Sequence, residues 1–436
     1  MKSKNFNSLL VIGLILSLFI SGCGSLLKGS SDILVITNGT IISGDGSQPI
    51  PGGLVALEGD RIIYVGPEAD YDIPRGAEVL KAAGGAILPG FIDAHTHSTS
   101  DPAVRREFLT NGVTTVCDLG SPLDQLDDFS IDSYLDQPAA RGIYAGPIIT
   151  APGGLPGAVM DSALNHEVAT PEEGRAAVED LYQKGASQIK VYLQEEVNGV
   201  IYPMLDQDTL EAIVEAAHDK DLIVRAHVTY IPLLEMAVSA GVDTVEHIPL
   251  NLPSAEMDAA AVERRNQLLQ SPDPLDLMFT EIYPDYQTWL EIMVEREIIL
   301  VPTLERPYGD LYEAASQDPQ MAALMNIILG IVSHFHEMGG SVGLGTDFNI
   351  NIGMARAIPL KELEMLNAAG LDPLEVIEAS TQNAAAACGL RDELGTIEVG
   401  KIADLIVVPG DPLKDFAVLG EVTLVIKDGQ IAYQGE

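Results

Sequence analysis

Short apolar runs alternate with segments of helical period along most of this chain. Eight runs read as strands: Ala86–Ile92, Val113–Asp118, Ile143–Thr150, Ser187–Leu193, Leu222–His227, Thr244–His247, Ile298–Pro302 and Ser341–Gly345. Their length and their turn-rich flanks suit buried strands. The helical segments between them have marked starts. Thr170-Pro171-Glu172-Glu173 sets a capping residue, a first-turn proline and an N3 glutamate in order. Asp372-Pro373-Leu374-Glu375 repeats that order, and Asp208 with Glu211 marks a third start. Eight alternations over roughly 300 residues predict an α/β fold, a (β/α)8 TIM barrel with its site at the C-terminal strand ends. A doubly wound open sheet also alternates, but no glycine-rich phosphate loop follows the first run. The span 250–297 is long for one connection. It predicts extra helices, among them Tyr286 to Glu295 with Trp289, packed on the barrel or covering it.

The chain ends have a different texture. From Asp32 to Leu88, short β-type runs are broken by Asn38-Gly39, Gly52-Gly53 and Gly59-Asp60; after Thr396, Ala403–Val408 and Val422–Ile426 precede Asp428-Gly429. Neither end offers enough strands for a core of its own. Pairing them predicts one composite β-sandwich, 32–88 with 396–436, and places the barrel (89–395) between its halves. Ahead of these lie Lys2, Lys4, an apolar stretch Leu9 to Ile20, and Ile20-Ser21-Gly22-Cys23. The stretch is too short for a comfortable membrane span. The order resembles the lipobox of bacterial lipoproteins, which implies a signal peptide over 1–23, lipidation of Cys23 and a tether over 24–31. The expected location is therefore outside the cytoplasm, on the cell envelope, with the lipid anchor as the membrane contact.

Composition narrows the partners. Hydrophobic residues make up 47%, enough for a large core, and the formal net charge is −40. No basic footprint exists to neutralise phosphates, which excludes nucleic acid and broad binding to anionic lipid. A small-molecule substrate is the expected partner. Three cysteines are too few for a disulfide framework, and Cys117 and Cys388 read as small buried hydrophobes.

The candidate chemistry sits at the strand ends. Ala86–Ile92 leads into Asp93-Ala94-His95-Thr96-His97. On a strand, residues i and i+2 share a face, so His95 and His97 can bind one ion as neutral imidazoles. Lys190 lies in the fourth run, His227 ends the fifth, His247 ends the sixth and Asp347 follows the eighth. A barrel gathers these ends into one ring. Tyr192 shares a face with Lys190 and is a candidate substrate residue. Tyr230, three residues after His227, is a candidate oxyanion or substrate donor, or else a rim residue. His334-Phe335-His336 repeats the spacing within a helical stretch, where i and i+2 diverge, and reads as structural. Arg225 shares the His227 face at greater depth, which suits a buried ion pair.

This set resembles the amidohydrolase superfamily, in its imidazolonepropionase-like branch. The resemblance covers almost everything after residue 32. It includes Leu88-Pro89-Gly90-Phe91-Ile92-Asp93, Thr381-Gln382-Asn383-Ala384-Ala385, Leu394-Gly395-Thr396-Ile397 and Gly400-Lys401-Ile402-Ala403-Asp404-Leu405. It implies two divalent ions, one on His95, His97 and Asp347 and the other on His227 and His247. Lys190, as a CO2-derived carbamate, would bridge them; a lysine paired with a carboxylate inside the barrel is the plain alternative. Histidine-rich ligation favours zinc. The implied reaction uses a metal-bridging hydroxide, with Asp347 as general base and acid, on an amide, peptide or cyclic amide C–N bond. Family deaminases usually carry a proton-shuttling glutamate where this chain has Tyr230, which together with Lys190 weakens deamination. A lactone or ester hydrolase, a mononuclear deaminase and an inactive binding protein are the competing readings.

Overall fold

The computed structural model describes residues 33–125, 138–250, 259–349 and 353–435. Cys23 and the rest of the expected signal segment lie outside the described residues. Among the described residues no helix is long and apolar enough to cross a membrane.

The two chain ends share one eight-stranded sheet. Ile33–Ile41 pairs antiparallel with Ile50–Glu58, which pairs with Arg61–Pro67. The seam is Ala86–Pro89 against Leu405–Val408, antiparallel, with Leu424–Lys427 and Gln430–Gln434 beyond it. Strand alternation at this seam serves two cores. Ile87, Leu405 and Val407 join the interior of the end domain. Ala86, Leu88, Ile406 and Val408 turn the other way into the core of the barrel. Arg141 at the barrel base adds a polar tie, 2.7 Å from Asp404.

One expectation changes here. The run Ala86–Ile92 is not one strand. Ala86–Pro89 belongs to the end sheet and Phe91–His97 is the first barrel strand. The chain changes sheets at Gly90, where a Cβ would come within 2.2 Å of the Thr114 side chain, so only glycine fits.

Barrel strands two to seven are Val113–Asp118, Arg141–Tyr144 continuing as Ile148–Thr150, Ile189–Leu193, Val224–Val228, Thr244–Glu246 and Ile299–Val301. They are parallel neighbours in order, in two arcs. Ser187 N–H donating to Tyr144 O at 2.9 Å joins the arcs on one side. The eighth strand closes the other side more sparely than expected. Val342 bridges Leu300, Ala94 N–H donates to Leu344 O, Asp347 N–H donates to His95 O, and Phe348–Asn349 pairs with Thr96–His97. Gly345 permits this closeness, since a Cβ there would meet Val301 at 2.6 Å and His95 at 2.7 Å.

The helix starts follow the caps. Thr170 caps Pro171–Gln183, and Asp372 with Glu375 forms a full capping box on Pro373–Glu378. The third start is displaced: Asp206, not Asp208, caps Gln207–His218, because its side chain reaches Thr209 N–H. Trp289 lies on Pro284–Glu295, packed against the barrel core. Cys117 and Cys388 are not separate buried thiols; they form a disulfide that ties the second strand to the end of Ala384–Ala387. Their separation of 271 residues hid the pairing.

Candidate metal centre

A cavity of about 500 Å³ opens at the C-terminal strand ends. His95, His97, Lys190, Tyr192, His227, His247 and Asp347 all line it. Register explains the convergence. Lys190 pairs with Arg225 and Tyr192 with His227 across adjacent strands, so all four face the barrel axis in two layers. His227 pairs in turn with Glu246, which places Glu246 inward. Simple alternation would then turn His247 outward. His247 instead adopts a left-handed backbone, φ 71°, and so swings back into the ring. Asp347 does the same at φ 56°. Ser98 in the cavity lining (φ 61°) and Thr303 behind His247 (φ 50°) share this sparse region, and four such non-glycine residues at one site are the strain that functional constellations store.

His95, His97 and Asp347 bring their ligand atoms within 4.8 Å of one another. Asp347 Oδ1 lies 3.2 Å from His97 Nε2 and 3.7 Å from His95 Nε2. The His247 ring is centred 5.0 Å from that of His95 and 4.5 Å from that of His227. Tyr192 stacks on His227 at 3.8 Å.

Three of the four imidazoles are oriented from behind. Glu246 sits 2.7 Å from His95 Nδ1, Gln194 Oε1 2.8 Å from His227 Nε2, and Thr303 Oγ1 2.7 Å from His247 Nδ1. Such contacts select the tautomer and fix the ring. Below the ring, Arg225 and Glu246 are fully buried and paired at 2.8 Å, the ion pair expected for Arg225. Asp93 accepts from the Thr346 hydroxyl at 2.6 Å and from the N–H groups of Thr346 and His95, which sets the turn bearing Asp347. Arg306, on Glu305–Ala315, donates to Asp347 Oδ2.

Burial controls the electrostatics. It holds His95 and His227 well below the ordinary imidazole range and His247 at about 4, so all three are neutral and carry free lone pairs. Burial raises the Asp347 carboxyl, but the hydrogen bond from His97 opposes it, and the carboxyl stays well below the usual carboxylate range. Lys190 is pushed down to about 8 by burial, with Arg225 adding to the push and Glu246 opposing it. Its Nζ is buried without a hydrogen-bond partner.

The remaining candidates lie apart from this ring. Tyr230 stands just ahead of Ile231–Ala240, outside the described cavity lining, and its hydroxyl donates to Glu196. His334 and His336 lie on Pro319–Glu337 and diverge, one to Gln287 and the other to Glu375. Glu246, Gln194, Thr303 and Arg306 escaped the sequence reading. Glu246 alone left a signal, as an acidic residue inside an apolar strand beside a histidine.

The comparisons with known proteins follow the same lines. The imidazolonepropionase of Symbiobacterium thermophilum is 25% identical over 92% of this chain and 97% of its own length. The ochratoxinase of Aspergillus niger is 25% identical over 92% of this chain and 86% of its own. A crystal structure of a Xaa-Pro dipeptidase with bound methionine superposes with a TM-score of 0.69, covering 92% of this chain and all of the other at 24% identity, and shows the shared TIM-barrel fold. The family model described as the amidohydrolase family matches residues 86–432, and this chain is an enzyme of the amidohydrolase family.

Proposed function

We propose that this protein is a binuclear metal-dependent hydrolase that cleaves the C–N bond of a small peptide, cyclic amide or derivatised amino acid. The observation that carries the reading is Lys190. Its Nζ is buried, lacks a hydrogen-bond partner, and stands in a ring of four histidines and an aspartate. A bare ammonium would repel any dication there; a carbamate would add anionic oxygens where the ring needs them. The depressed pKa supplies the neutral amine that takes up CO2. The donor set fits the ions as well, with neutral imidazoles and one carboxylate of the kind that suits zinc.

In this reading His95, His97 and Asp347 would hold one ion, His227 and His247 the other, and Lys190 would bridge. Bound divalent ions supply Lewis acidity that polarises a carbonyl and makes water a nucleophile at neutral pH. The remaining work belongs to the chain. Asp347 accepts the proton lost by the attacking water and returns it to the departing nitrogen. Glu246, Gln194 and Thr303 hold three imidazoles in place, so no reorganisation is needed during the reaction. Tyr192, whose hydroxyl burial keeps protonated, offers a neutral donor to the substrate.

The test is metal content per chain, carbamate detection with 13C-labelled bicarbonate, and turnover on an amide panel, for wild type and Lys190→Ala. Two ions, a carbamate signal and a variant at least about 100-fold slower are expected, a loss of about 2.7 kcal/mol in the transition state. One ion in both proteins with equal rates would leave a single-ion enzyme on His95, His97 and Asp347.

The same proposal places the enzyme outside the cytoplasm, anchored at Cys23. The Cys117–Cys388 disulfide supports this, since such bonds persist in oxidising compartments.

A further inference from the structure

Arg306 is, apart from Lys190, the cationic side chain in the described lining of the cavity outside the histidine set. Its guanidinium is about one-third exposed and engages Asp347 Oδ2, while Oδ1 of the same carboxylate faces His97 and His95. The cation is thus held one carboxylate's width beyond the ligand cluster, on the cavity side. Its fork has further N–H groups to offer an anion there. Arg306 is also close enough to Tyr192 for its charge to act on that hydroxyl. The same lining carries an apolar wall, Ile148, Pro156, Met160 and Leu164, with the exposed Asp161 among them. The whole chain carries a net charge of −40, a field that disfavours anions unless a local cation receives them.

We propose that Arg306 receives a free carboxylate of the substrate in this cavity, so that the substrate class is N-acyl amino acids and dipeptides. This rests on the reading of the site as a C–N hydrolase. In such molecules the carboxylate carbon stands about three bonds from the scissile carbonyl carbon, the short reach that separates Arg306 from the ligand cluster. Neutral amides and lactones offer no anion to the N–H groups of Arg306 that Asp347 leaves open. The apolar wall takes the side chain of the acyl or amino acid portion.

The experiment uses the full zinc-loaded protein and compares N-acetyl-methionine, N-acetyl-phenylalanine and N-acetyl-proline with their primary amides. Binding is read by calorimetry and zinc content is measured in parallel. Wild type should prefer the carboxylates by about 10- to 100-fold, as expected for a charge-assisted pair. Arg306→Gln should lose that preference with its zinc retained, and Arg306→Lys should keep part of it. A preference that survives in Arg306→Gln, or the absence of any preference in wild type, overturns the assignment. So does a loss of zinc in Arg306→Gln, which would make the arginine a positioning residue for Asp347. If wild type prefers the carboxylates and hydrolyses none of them or their dipeptide counterparts, the hydrolase reading fails while the carboxylate site stands.

Discussion

Glu246 holds the centre together from beneath, and its replacement separates stability from metal affinity. Glu246 and Arg225 are both fully buried. Glu246 Oε1 is 2.8 Å from Arg225 Nε and 2.8 Å from Nη2, and Oε2 is 2.7 Å from His95 Nδ1. Glu246→Leu strands the Arg225 charge in the barrel, with Lys190 as a second cation nearby. Breaking one side of a buried pair costs about 3–5 kcal/mol. At roughly 2–4 °C per kcal/mol for a large domain, the melting temperature of the metal-stripped protein should fall by about 6–20 °C. Arg225→Met combined with Glu246→Leu removes both charges, and most of that loss should return. Zinc affinity should behave otherwise. The acceptor behind His95 is missing in both variants, so each should bind zinc about 10- to 100-fold more weakly. Thermal unfolding by circular dichroism and competition against a chelator read the two effects. A double variant as unstable as the single one, or wild-type zinc affinity in either, would refute this account.

Glu362 makes a pH-dependent contribution. Burial pushes its carboxyl up to about 8 against the opposing bonds from the N–H groups of Leu304 and Glu305, and the folded protein therefore holds a proton that the unfolded chain releases near 4.5. Its stabilisation is complete below that lower value and fades as pH rises toward 8, by at most about 1.4 kcal/mol per pH unit. Glu362→Gln should flatten this slope in urea melts across that range, and an unchanged slope would assign it to another group. Cys23→Ser should release the protein from the membrane fraction; a variant that stays membrane-bound removes the lipid-anchor reading.

Much of this protein is written locally. Strand and helix periods depend on near neighbours, and caps such as Thr170 and Asp372 act within one turn, so the barrel and its helix starts are legible in order. His95 and His97 share a face because a strand repeats every two residues, and the same rule aligns Lys190 with Tyr192. Tertiary structure decided what depends on register and on distant segments. Gly90 divides an apolar run between two sheets, and the crowding by Thr114 that demands glycine there comes from a strand more than twenty residues on. His247 and Asp347 reach the ring through left-handed turns that no periodicity encodes. Cys117 finds Cys388 across 271 residues, and the Tyr230 hydroxyl finds Glu196 on a neighbouring hairpin. Glu246 meets His95, and Arg306 meets Asp347, only once the strands close on themselves, because closure brings ends far apart in the chain to within bonding distance and the chain's own spacing carries no measure of that distance.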